Sequence, residues 1–258
     1  MTSPSGLNFW DHLDELRHVL LRMVGAVCVL TLIAFCFKEP LFRLVLAPNS
    51  PHFPLYSLLG GDDSAIRLIN TRLASQFVIH MKVSCYAGVM LASPYIIYQL
   101  FAFVSPALYA NERRPVIMAT LWGYLLFLVG ALLSYFIIFP LTFRFLSTYQ
   151  VSQTVVNTIT LTSYVDTMLS LTLMMGIVFE MPLLCWLLSR LGVLSSPFMK
   201  SYRRYAIIVI LLLAAIITPT TDVFTLLVVT LPMYILYEAS ILIVQHGEPK
   251  RRTDVDHE

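Results

Sequence analysis

Residues 19–37 read VLLRMVGAVCVLTLIAFCF, with one charge, Arg22, and no proline. An α-helix rises 1.5 Å per residue, so about 20 such residues cross a hydrocarbon core about 30 Å thick. The stretch is apolar all round, as a membrane helix requires. Five further runs qualify or nearly qualify: 83–104, 116–139, 164–188, 205–218 and 224–244. None shows the ten-residue alternation of a spanning β-strand, so a barrel is excluded.

Composition agrees. The chain has 258 residues, of which 58% are apolar and 12% charged, with a mean hydropathy of +0.77. A soluble domain carries about twice that charged fraction and could not hide so much apolar surface in one core. Disorder needs low hydrophobicity and high charge, and is excluded too. The fold class is therefore an all-α membrane protein with six transmembrane helices, a single integral domain over 1–258. Flanking it are a cytoplasmic amphipathic segment at 1–18, an outer cap at 38–75 and a loose cytoplasmic tail from 245 to 258.

Lysine and arginine set the orientation. With the N-terminus inside, the inner segments hold 11 of them and the outer segments 6. The positive-inside rule then puts both termini in the cytoplasm, with Lys82 reaching back to the outer interface. The fifth run is only 14 residues, about 21 Å of helix, and predicts a locally thinned bilayer. Pro94, Pro182 and Pro232 fall inside the second, fourth and sixth spans and predict bent helices and a concave bundle. In the cap, prolines 48, 51 and 54 precede GlyGlyAspAsp at 60–63 and an amphipathic piece at 66–77. Asp62 and Asp63 read as a solvated turn, and no metal site is expected. Cys28, Cys36, Cys85 and Cys185 lie in apolar runs without metal-ligand or disulfide spacing and read as buried, inert thiols. The N-terminus has no signal-peptide pattern.

Several polar residues stand out. Residues 8–17 read as a short amphipathic helix before the first span. Asn8 and Asp11 fit a capping box, and Trp10, Leu13, Leu16 and Leu20 lie on one face, suited to a membrane surface. Glu15 lies on the wet side, where it could pair with His18 or form an anion site. In the first inner loop, Glu112 sits near the start of the third span, where a helix dipole favours it, beside Arg113 and Arg114. Ser196 and Pro197 read as the cap and first residue of a short helix running into span five; Lys200, Arg203 and Arg204 follow as headgroup contacts. Glu180 is the sharpest single residue. An acid at membrane depth costs roughly 2.5–3.5 kcal/mol on insertion scales and is a functional candidate by default. Glu238 is nearer the inner end and could snorkel; Asp166 and Asp222 lie near the outer interface. Metalloprotease, serine-hydrolase and phosphate-loop motifs are missing, so an enzyme is not expected. A net charge of +2 gives no reason to expect nucleic acid.

Together the motifs resemble a known family. They are HLDELR at 12–17, AlaPro at 47–48, FVSPALYANERR at 103–114, FEMP at 179–182, ITPTTDVF at 217–224 and LPMYILYE at 231–238. The chain resembles the TatC family, the multi-span core of the twin-arginine protein translocase, over about residues 8–245. The resemblance implies six helices in a cup in the bacterial cytoplasmic membrane. It implies a receptor for twin-arginine signal peptides on folded cargo, with small single-span subunits as partners and export drawing on the proton motive force. It also implies a homo-oligomer within a larger complex, lipid contact and no cofactor. The positions carried over for the signal peptide are Glu15, Arg17, Phe103, Leu108, Tyr109 and Glu112. Those for a partner helix or intramembrane polar site are Glu180, Thr218 and Asp222. Two positions depart from the pattern: Leu226 stands where some members carry glutamine, and Ala110 where a lysine is frequent. The rival reading is a proton-coupled carrier using Glu180 and Glu238 as a relay.

Overall fold

The computed structural model describes residues 9–51, 53–59, 66–104, 113–150, 152, 158–218 and 222–247. Helices dominate: α1 (Phe9–Cys36), α2 (Lys38–Leu46), α3 (Pro54–Leu59), α4 (Ser75–Val104), α5 (Arg113–Leu133), α6 (Phe139–Thr148), α7 (Leu161–Phe179), α8 (Met181–Arg190), α9 (Ser196–Ser201), α10 (Arg203–Ile217) and α11 (Val223–Gly247). Two short strands, β1 (Leu68–Ile69) and β2 (Ile159–Thr160), pair in parallel, Leu68 opposite Ile159. Among the described residues, five helices are long and apolar enough to cross a membrane: Leu13–Cys36, Ser75–Phe103, Val116–Thr148, Leu161–Arg190 and Val223–His246. The expected fifth span, α10, has 15 residues, about 22 Å of helix.

Several boundaries differ from expectation, each for a local reason. The amphipathic N-terminal piece is no separate helix. From Phe9 to Cys36 the chain is one unbroken helix, because no proline interrupts it. Asn8 lies outside the described residues. The second span starts early, at Ser75, so the piece at 66–77 is divided between β1, a turn and the first turn of α4. The third span runs on to Thr148 through a π-helical turn at Ser134–Ile138, one residue before Phe139–Pro140. The helix expected to be capped by Ser196 instead has Ser195 at its N-cap position, without a side-chain capping bond, and ends at Tyr202 before α10 begins. Asp62 and Asp63 lie outside the described residues. Of the cysteines only Cys185 is buried; Cys28, Cys36 and Cys85 are free and exposed, because a spanning helix can turn an apolar thiol to lipid as readily as to protein.

The core is built chiefly from α4, α7, α10, α11 and the outer part of the third span, with Ile79, Phe139, Leu171, Met175, Ile210, Val229 and Ile241 almost fully enclosed. Helix α1 stands outside it and packs chiefly on α4. Glycines set the closest approaches. A methyl group on Gly88 would lie 2.8 Å from the Thr31 backbone nitrogen, and one on Gly130 2.6 Å from the Met175 carbonyl oxygen. At the cap, tyrosine hydroxyls reach backbone carbonyls of distant segments. Tyr135 donates to Leu44 (2.7 Å) and Tyr164 to Val45 (3.0 Å), both in the last turn of α2; Tyr56 of α3 donates to Pro140 (3.3 Å). Burial pushes the Tyr56 phenol up to about 12, against the opposing pull of Arg144, whose guanidinium lies 5.1 Å from the Tyr56 ring centre. Lys82 does not simply reach for the interface. It bonds both oxygens of Asp166, at 2.8 and 2.9 Å, and so joins α4 to α7.

Gly130→Val is expected to lower the melting temperature in detergent, since overpacking costs about 1–3 kcal/mol. Gly25→Ala, with nothing within 4 Å of the new methyl group, is expected to leave it level or slightly higher. Equal melting of the two variants would refute this packing.

Candidate functional site: an acidic helix end and a carboxyl in an apolar recess

The pairing of α1 with α4 decides which residues share an end. They run antiparallel, with Thr31 against Gly88 and the Phe35 ring stacked on His80 at 4.2 Å. Sixteen residues separate Thr31 from Glu15, and sixteen separate Gly88 from Val104, about 24 Å of helix in each. Glu15 is therefore level with the last turn of α4, which carries Phe103. Glu15 and Arg17 are exposed, and Phe103 is half-buried. The His18 ring lies 2.7 Å from the Asp14 carbonyl oxygen, as an i, i+4 contact on the same turn. Leu108, Tyr109 and Glu112 fall outside the described residues, in the connection 105–112 between α4 and α5. That connection starts at the end of α4 level with Glu15.

Glu180 sits at a break in the fourth span. Pro182 has no N–H to offer the Val178 carbonyl four residues back, so α7 stops at Phe179 and α8 starts at Met181. The break points the Glu180 side chain toward α5, where Oε2 lies 3.0 Å from the position a methyl group on Gly123 would take. Its Oε1 is buried without a hydrogen-bond partner. The carboxyl opens on a recess of about 380 Å³ between α4, α5, α7 and α8, lined by Ile97, Phe101, Phe127, Ile177 and Leu187. Ser93, the other polar side chain on the wall, spends its hydroxyl on the Met90 carbonyl at 2.7 Å. A carboxyl with an open acceptor in an apolar recess can take a hydrogen bond from a donor entering from outside, because leaving that acceptor unmade costs about 1–3 kcal/mol.

Thr218 and Asp222 are elsewhere. Thr218 is buried, its hydroxyl donating to the Ala214 carbonyl at 3.0 Å. Asp222 caps α11, its Oδ2 accepting the Thr225 N–H at 2.7 Å. The next residue but one, Phe224, stacks on Phe145 of α6 at 3.9 Å. Phe145 is 22 residues beyond Gly123 along the third span, so the structure does not bring Thr218 and Asp222 together with Glu180. Glu238, expected to snorkel, instead bonds Arg203 at 2.7 Å and accepts from the Tyr234 hydroxyl at 3.2 Å. Both oxygens are engaged, and the pair ties α10 to α11. No local pattern announces this pair or Lys82–Asp166, because the partners lie 35 and 84 residues apart in sequence.

Residues 11–232 match the family model described as Sec-independent protein translocase protein (TatC). The chain belongs to the TatC family. It is 38% identical to the TatC protein of Desulforapulum autotrophicum over 234 residues, covering 91% of this chain and 83% of that one. To the TatC protein of Aquifex aeolicus it is 32% identical over 243 residues, covering 94% and 96%. A crystal structure described as the twin arginine translocase receptor TatC superposes with a TM-score of 0.77 at 33% identity, over 92% of this chain and 99% of that one. A TatC protein is a membrane-spanning component of a protein translocase, not an enzyme.

The cap on α11 gives Asp222 a structural role separable from its charge. Asp222→Ala is expected to lose about 1 kcal/mol of stability, and Asp222→Asn, which caps equally well, only a few tenths. Unfolding in detergent measures both; equal losses would show that the charge matters more than the cap.

Proposed function

We propose that this chain is the receptor and core of a twin-arginine translocase in the bacterial cytoplasmic membrane. It binds the twin-arginine signal peptides of folded cargo proteins and exports them using the proton motive force. In this reading α10 is a sixth span, short enough to thin the bilayer beside it, and both termini are cytoplasmic. The observation that carries the proposal is the shared level of Glu15 on α1 and Phe103 on α4, at the end where the connection bearing Leu108, Tyr109 and Glu112 begins.

The chemistry follows from the ligand. A guanidinium presents a planar fork of donors that a carboxylate accepts bidentately. Two adjacent arginines want two carboxylates, and Glu15 and Glu112 supply them, with Arg17 and Tyr109 as polar neighbours. Each charge-assisted bond is worth about 1.5–3 kcal/mol. Phe103 and Leu108 offer apolar surface to the stretch that follows the arginines in an export tag. Glu180 serves a different step. Its open oxygen in the recess takes a donor side chain from a small single-span partner, since such pairings help membrane helices associate by about 0.6–2 kcal/mol. Thr218 and Asp222 hold the hairpin between α10 and α11, where a second polar contact with a partner would be made. The working unit is a homo-oligomer within a larger complex. Glu238, engaged by Arg203, is poorly placed for the proton relay that a carrier would need.

Glu15→Ala and Glu112→Ala are each expected to weaken binding of a twin-arginine peptide to the purified chain about tenfold. Glu180→Ala is expected to leave that affinity unchanged and to impair export or partner assembly. Unchanged affinity in both of the first two variants, or normal export and assembly in the third, would overturn this division of roles.

A further inference from the structure

A second recess lies on a different face of α5 and α8 from the one that holds Glu180. It has a volume of about 420 Å³ and walls of Trp122 and Leu126 from α5, Leu183 and Trp186 from α8 and Ile243 from α11. Met118, Trp122 and Leu126 recur every four residues along α5, so the slot runs about 12 Å along the helix. Almost nothing polar faces into it. One turn beyond Trp186 stands Arg190, its guanidinium 5.4 Å from the centre of the Trp186 ring. Arg190 is exposed and forms no ion pair among the described residues. An apolar slot thus ends at an exposed cation.

Two occupants differ in what they ask of these walls. A partner helix needs small residues that let backbones approach closely, and here only Ala119 is small among bulky tryptophan, methionine and leucine. A flexible hydrocarbon chain fills an irregular slot between indoles without that demand. Tryptophan is also the residue of membrane interfaces, and a guanidinium fork matches a phosphate. We infer that this slot binds one acyl chain of an anionic phospholipid from the leaflet at the Arg190 end, with the lipid phosphate on Arg190. The slot shares no wall residue with the Glu180 recess and does not depend on the signal-peptide reading.

The test uses the full chain in lipid nanodiscs containing phosphatidylglycerol with a photoreactive diazirine on its acyl chain, and in matched discs with the same label on phosphatidylcholine. Phosphatidylglycerol is expected to label the slot peptides, 118–126 and 183–190, roughly fivefold more strongly than phosphatidylcholine. Arg190→Gln is expected to remove that preference. Ala119→Trp is expected to abolish slot labelling by both lipids, while labelling around Leu32, which is 70% exposed on α1, stays constant. Leu126→Trp fills the same slot from two turns further along α5 if the first variant does not fold. Equal labelling by the two lipids would overturn the proposal, as would labelling that survives a filled slot. So would a photoreactive residue at position 119 that captures a protein chain rather than lipid.

Discussion

The contact of Thr31 with Gly88 fixes the register of the first two spans, and that register decides what meets at each end of the molecule. Helix α1 has little else to hold it. Val19 and Ala34 are its only buried apolar side chains among the described residues, while Leu20, Leu21, Val29 and Leu32 stand exposed. The absence of a side chain at Gly88 lets the two backbones touch, and the Phe35 ring settles on His80 nearer the cap. About 24 Å further along, the same register brings Glu15 level with the end of α4. The acid in the first helix and the apolar residue at the end of the second, 88 positions apart in sequence, share an end because of one glycine.

A bilayer offers no water to a broken helix, so each interruption must be buried in protein or line a cavity. Both interruptions here obey that rule. The π-helical turn at Ser134–Ile138 is packed under the cap, where Ile138 and Ser134 are buried and Tyr135 reaches across to close α2. The break at Glu180 lines the recess and delivers a carboxyl into it. The sequence–chemistry link is direct in the second case: Pro182 stops one helix, and the acid two residues before it becomes the residue at the corner.

Much of this was legible in the residues alone. Long apolar runs announced the spans because the hydrocarbon thickness sets a length that hydropathy measures. Pro182 and Glu180 stood out because each violates what a continuous membrane helix prefers. Boundaries were harder. Nothing in HLDELR marks where a helix leaves water for lipid, so α1 runs through it unbroken. The third span continues past Phe139 because its end is set by the cap and not by hydropathy. The π-turn before Pro140 has no sequence signature of its own, since Tyr135–Phe139 continue the apolar run without a break. The bonds from Tyr135, Tyr164 and Tyr56 to distant carbonyls, and the Lys82–Asp166 pair, join segments 84 to 119 residues apart. A local pattern cannot encode them. The sequence already sets Glu180 at membrane depth and Asp222 near an interface, but only the stacking of Phe224 on Phe145 shows which part of the third span the Asp222 end faces.

The proposed recognition of the signal peptide rests on guanidinium forks meeting carboxylates at the Glu15 end. The most direct measurement is the affinity of the reconstituted chain for a signal peptide with two adjacent arginines, compared with the same peptide carrying two lysines. Lysine keeps the charge and loses the bidentate geometry. Binding weaker by about tenfold or more is expected for the lysine peptide, the equivalent of about 1.4 kcal/mol. Equal affinity for the two peptides would contradict it.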